Sequence, residues 1–107
     1  NSPSDWDNYE TQFGAQTTES SDTFVARNGG EFSVLANGFA DQTWYCVWLV
    51  TDNSTDHYNA YVQGASYASP TLIGSSLAFR NGTASALQTF FARIDHRSQS
   101  SLFIDDI

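Results

Sequence analysis

Two adjacent carboxylates, Asp105 and Asp106, close the chain inside an otherwise apolar run, Leu102–Ile107. Carboxylate oxygens suit a hard cation such as calcium, which needs roughly six to eight oxygens converging on one point. Successive side chains of an extended strand point to opposite faces, so this pair shares one ion only across a bulge. Otherwise one acid is exposed and the other is hydrogen-bonded near an edge. No run has the spacing of an EF-hand loop. Other acids are plentiful, but most fall in turns, whereas a glycosidase needs two facing each other across the scissile bond. His57 and His96 follow Asp56 and Asp95. These Asp-His pairs read as solvated turn residues, because a triad or a zinc site is defined by converging geometry and not by chain neighbours. With no nucleophile elbow and no HExxH helix, the chain is not expected to be an enzyme.

Stacking chemistry is the stronger prospect. A sugar ring has an apolar C–H face that lies flat on Tyr or Trp, while its hydroxyls need Asn, Gln, Asp or Arg at the rim. His57–Gln63 alternates Tyr58, Ala60 and Val62 against Asn59, Tyr61 and Gln63, so one face is buried and the other is wet or ligand-facing. With Tyr45 from the preceding strand, Asn59, Tyr61 and Gln63 make a candidate sugar-binding set on an open sheet face. The competing reading makes Tyr45 and Tyr61 cross-strand packing partners, and Val47 and Leu49 beside Tyr45 favour a covered face. Trp6 and Tyr67 are loop aromatics that line a rim or cap the core.

Cys46 is the single cysteine, so no internal disulfide forms. In the most apolar strand it is expected as a small buried hydrophobe; a nucleophilic thiol needs a basic, exposed setting. If exposed, it is available to pair with another chain. Twelve acids face four bases, all of them Arg (27, 80, 93 and 97), for a net charge of -8. That balance argues against nucleic acid, whose affinity comes from neutralised phosphates, and against anionic membrane surfaces. It fits the solubilising surface of a secreted protein. The absence of Lys excludes Lys-dependent isopeptide crosslinks. No apolar run approaches the ~20 residues of a membrane span. A chain without Met that opens on Asn1 is expected to be a mature or excised piece whose targeting segment is gone. Asn53-Ser54-Thr55 and Asn81-Gly82-Thr83 are glycosylation sequons in turn-like segments, which makes Asn53 and Asn81 candidate acceptors.

The elements that must position these groups are short. The length fits one domain with one core. Residues 1–22 form a polar arm, either irregular or one weak strand. Thr23–Arg27 and Glu31–Ala36 read as strands around Asn28-Gly29-Gly30, a hairpin signal because Asn and Gly tolerate positive φ. In Thr43–Thr51, Trp44, Cys46, Trp48 and Val50 lie on one face and Tyr45, Val47 and Leu49 on the other. Two apolar faces predict a central strand covered on both sides. Asp52–Asp56 is a polar loop, Thr71–Arg80 holds one or two strands broken near Gly74, and Leu87–Ile94 and Leu102–Ile107 finish the chain. No segment has helical periodicity. Seven to eight short strands predict an all-β fold, an antiparallel β-sandwich or jelly roll over residues 23–107.

Three stretches carry a family likeness: Gln42–Val50 (QTWYCVWLV), Tyr58–Gly64 (YNAYVQG) and Phe90–Ile107 (FFARIDHRSQSSLFIDDI). Together they resemble the β-sandwich carbohydrate-binding modules of the galactose-binding-like class, jelly rolls appended to secreted glycoside hydrolases and found in extracellular surface proteins. MAM-like sandwiches share a similar Asp-Asp ending. The likeness spans Gln42 to Ile107. It implies a final hairpin that brings Arg93 to the sugar-binding set, and a structural calcium held by the closing Asp105-Asp106 pair. The family's opening strand, which carries Asn, Gly, Phe and Glu and supplies a further metal-binding acid, has no counterpart in residues 1–22.

Two functions follow as expectations. One is a non-catalytic carbohydrate-binding β-sandwich module of a secreted or cell-surface protein, with a glycan or polysaccharide as partner and no nucleic acid or membrane insertion. The other is a structural subunit of an extracellular filament or adhesin that partners copies of itself. There a missing first strand exposes an edge, and a neighbour's arm completes it by strand addition.

Overall fold

Glycine placement starts the fold. Asn28 and Glu31 face each other across a two-residue turn in which Gly29 takes φ +65°, the left-handed conformation that favours glycine. The computed structural model describes residues 9–17, 22–40 and 42–82. Among them β1 (Phe13–Thr17), β2 (Asp22–Asn28) and β3 (Glu31–Asn37) form one antiparallel sheet in that order. A second antiparallel sheet is built from β4 (Cys46–Asp52), β5 (His57–Gly64) and β6 (Tyr67–Ala78), again in chain order. No helix occurs among the described residues, hence none long and apolar enough to cross a membrane. The fold is all-β. The β2 and β3 strands lie where the Asn-Gly-Gly signal puts them, and within residues 1–22 the segment 13–17 takes the strand form, paired along β2.

The two sheets meet over a small core. Ala26 of β2 packs with Tyr58 and Ala60 of β5, Leu77 of β6 and Phe79, and Phe13, Leu35, Leu49 and Ile73 close around them. Tyr58 ties the sheets together: its buried hydroxyl is shared between the Gln12 carbonyl, at 3.2 Å, and the Arg27 carbonyl. Burial disfavours the phenolate and pushes the Tyr58 pKa up to about 12, against the lowering influence of those hydrogen bonds and of Arg27. The β2–β3 turn is clasped to the end of β6, where Gly29 N donates to Ala78 O and Ala78 N donates to the Asn28 side chain. Another clasp joins the amino-terminal segment to the 80–82 turn. The buried Glu10 carboxylate accepts the backbone N–H groups of Asn81 and Gly82, and Arg80 N donates to Glu10 O.

Two expectations from hydrophobic pattern need correction. The apolar 43–51 run is not covered on both sides. Among the described residues β4 stands at the margin of its sheet, pairs only with β5, and has six of its seven residues exposed. Cys46, expected as a buried hydrophobe, is exposed at the start of β4. Among the described strands the middle position of this sheet belongs to β5, whose alternation sets buried residues against exposed or half-buried ones. The 71–80 region is also less broken than expected, because β6 runs continuously through Gly74. The irregularity appears in the pairing, with register shifts around Ala60 and Ser76 at φ +52°. Gly74 is closely packed: a β-carbon there would lie 2.9 Å from Leu77 Cδ1 and 3.1 Å from the Leu35 methyls, so those side chains would have to shift.

Candidate ligand-binding face

Register decides which side chains share a face. On β4 and β5, Cys46 lies opposite Gln63, Trp48 opposite Tyr61, Val50 opposite Asn59, and Asp52 opposite His57. The intervening pairs, Val47–Val62, Leu49–Ala60 and Thr51–Tyr58, belong to the face that carries the core. On β6, Leu72 falls opposite Tyr61. The outer face therefore has a row of large groups, Trp48, Tyr61 and Leu72, running across three strands, with Asn59 and Gln63 on either side of Tyr61 along β5. Trp48, Val50 and Leu72 are 40 %, 57 % and 46 % exposed. Such a surface is laid open although apolar contact elsewhere drives folding.

The polar groups along β5 are held in place. Asn59 Oδ1 accepts the Ser76 N–H at 2.9 Å, across the register shift that bulges β6. That bond engages only the oxygen of the Asn59 amide. Gln63 Nε2 donates to Ala68 O at 3.3 Å, which leaves its side-chain oxygen as an acceptor. His57 Nδ1 pairs with Thr55 O, so in the neutral ring Nε2 carries no proton. At the His57 end the face dips into an open depression of about 320 Å³ between Val50, Asp52, Thr55, His57, Asn59 and Ser76. Asp52 accepts hydrogen bonds from the Ser54 hydroxyl and the Ser54 N–H, which hold its carboxyl below the usual range.

Of the residues proposed from sequence, Asn59, Tyr61 and Gln63 come together on this face. Tyr45 does not. Its ring meets the buried Phe24 edge-on, with centroids 5.2 Å apart and planes at 82°, and its hydroxyl accepts the Ala40 N–H at 2.7 Å. Tyr45 is therefore an anchor between the β4 approach and the first sheet. The residue that belongs opposite Tyr61 is Trp48. Sequence reasoning set Trp48 aside because it gave the face holding Tyr45 to the open side; the alternation of β5, extended across the hairpin by register, is the signal that finds it. His57 was likewise read as a turn residue, yet it opens β5 on the same face.

Arg93, Asp105 and Asp106 lie outside the described residues, as do the expected strands 87–94 and 102–107. No calcium-dependent step is assigned to them. Among the described residues no three His, Cys, Asp or Glu side chains gather as a metal-holding group. Asn53 and Asn81 are both exposed, Asn53 in the turn after β4 and Asn81 beside the Glu10 clasp. No protein-family model, no curated protein and no solved structure matches the chain.

Proposed function

We propose that this chain is a non-catalytic carbohydrate-binding β-sandwich module of a secreted or cell-surface protein, with the outer face of β4–β5–β6 as its sugar platform. The observation that carries the reading is the pair of exposed Trp48 and half-buried Tyr61, set in register and flanked along β5 by Asn59 and Gln63. The aromatic rings supply the flat apolar surface that a pyranose face covers. The amides and His57 supply donors and acceptors for its hydroxyls. The two sheets are taken as the two layers of the sandwich, and the acidic, lysine-free composition suits an extracellular setting.

The test is a glycan array probed with the labelled chain, with and without a calcium chelator, alongside Trp48→Ala and Tyr61→Ala. Specific hits lost in both variants support the platform. Signal lost on chelation adds the metal. A blank array from a folded sample removes the reading.

The second reading, a self-assembling extracellular subunit, draws on the same exposed apolar residues and on the marginal position of β4. Against it, the 13–17 segment of the arm already pairs with β2 of its own chain and so is not held in reserve for a neighbour. Analytical ultracentrifugation separates the two, because a monomer across micromolar concentrations is incompatible with assembly.

A further inference from the structure

The platform has a direction and a charge character that together define its ligand more narrowly. The ligand-facing groups of β5 fall at every second residue: His57, Asn59, Tyr61 and Gln63. Their six-residue span at about 3.4 Å per residue makes a strip about 20 Å long, room for about four pyranose rings end to end. Trp48 and Leu72 widen the middle of the strip on either side of Tyr61, and the depression beside His57 closes one end. A single sugar would cover only one of these positions.

Charge narrows the ligand further. The strands β4, β5 and β6 contain no Lys or Arg. Their one carboxylate, Asp52, sits at the depression, and its hydrogen bonds to Ser54 keep it ionised into acidic solution. A uronate or sulfated sugar would find no counter-charge on the strip, a carboxylate at its end, and a chain of net charge -8 around it.

From this we propose that the β5 strip binds a linear, uncharged glycan of about four sugar units laid along the strand, its end unit in the depression beside His57. The proposal rests on the sugar-binding reading above and adds length, direction and charge to it.

The experiment is isothermal titration calorimetry of the full chain, in low salt, against β-1,4-linked glucose, xylose and mannose series from monomer to hexamer. Oligogalacturonates of matched length serve as the anionic series. The expected result is an affinity that climbs at least ~10-fold from dimer to tetramer in one neutral series and is flat beyond, since each tenfold step needs only about 1.4 kcal/mol of added contact. His57→Ala should bring the plateau one unit shorter, and the galacturonates should bind at least ~10-fold more weakly than their neutral counterparts. Length-independent binding, an unmoved plateau in His57→Ala, or equal affinity for the galacturonates overturns the inference while leaving a sugar-binding module. A chain that scores on the glycan array but binds none of the neutral series overturns the inference alone. A chain that binds no glycan in either experiment overturns the functional reading with it.

Discussion

Trp48 and Tyr61 stand directly opposite each other on β4 and β5, on the face of the sheet turned away from Tyr58. One residue further along, the β4–β5 pair is Leu49 and Ala60, and it belongs to the core. A single step of register thus separates the surface that holds the protein together from the surface available to a partner.

That separation predicts different costs for similar truncations. A cross-strand pair contributes about 0.2–1 kcal/mol, so Trp48→Ala and Tyr61→Ala should each lower unfolding free energy by about 1 kcal/mol or less while removing glycan binding. Leu77→Ala, at a buried core position, should cost about 2–5 kcal/mol. Urea unfolding of the three variants checks this. A large loss in Trp48→Ala would mean that the pair is packing rather than platform.

Tyr58 joins the two sheets through its hydroxyl, so Tyr58→Phe should cost about 0.5–1.5 kcal/mol by removing the hydrogen bond that the hydroxyl shares between the Gln12 and Arg27 carbonyls. The same bond predicts an alkaline limit. The folded pKa is raised to about 12, above that of an unfolded tyrosine, so this contribution is complete below pH ~10 and is lost as pH rises from ~10 through ~12. Thermal melts across that window should fall more steeply for the native chain than for Tyr58→Phe.

How much of this was legible in the sequence differs between neighbouring strands. In β5 the alternation of Tyr58, Ala60 and Val62 with Asn59, Tyr61 and Gln63 reads directly as one buried face and one outer face; the first three are buried and the other three are half-buried. In β4 both faces are apolar, and pattern alone takes that for burial on both sides. The strand is instead exposed, because apolar character reports what could be covered and not what the topology brings over it. The Tyr45 error has the same origin. Two apolar faces gave no internal signal for which one faces the core, and only pairing with β5 settles it. The Glu10 clasp was invisible, since a carboxylate in a polar arm looks solvated until the turn at Asn81 and Gly82 is brought against it.

Gly64 ends β5 at φ +145°, where a β-carbon would lie 2.7 Å from the Trp44 carbonyl oxygen and 2.8 Å from the Tyr45 ring. Gly64→Ala should therefore destabilise the protein by more than about 1 kcal/mol, combining backbone strain with that overlap. Because the displaced neighbour is the approach to β4, loss of the Tyr45 contact with Phe24 should accompany it. Near-ultraviolet circular dichroism of the variant would report that change; an unaltered spectrum and midpoint would show that the approach gives way freely.

Cys46 offers the most direct check on the position of β4. Placed in a covered central strand, its thiol would be protected until the protein unfolds; exposed at the strand's start, it is open to reagent in the native state. Ellman's reagent should therefore titrate one thiol per chain without denaturant. Cys46 also lies opposite Gln63 at the far end of the β5 strip from His57. A bulky maleimide on Cys46 should weaken binding of a tetramer-length glycan while leaving that of a dimer seated near His57 unchanged. A thiol that reacts only in urea would return β4 to the interior, and with it Trp48 would lose its place on the platform.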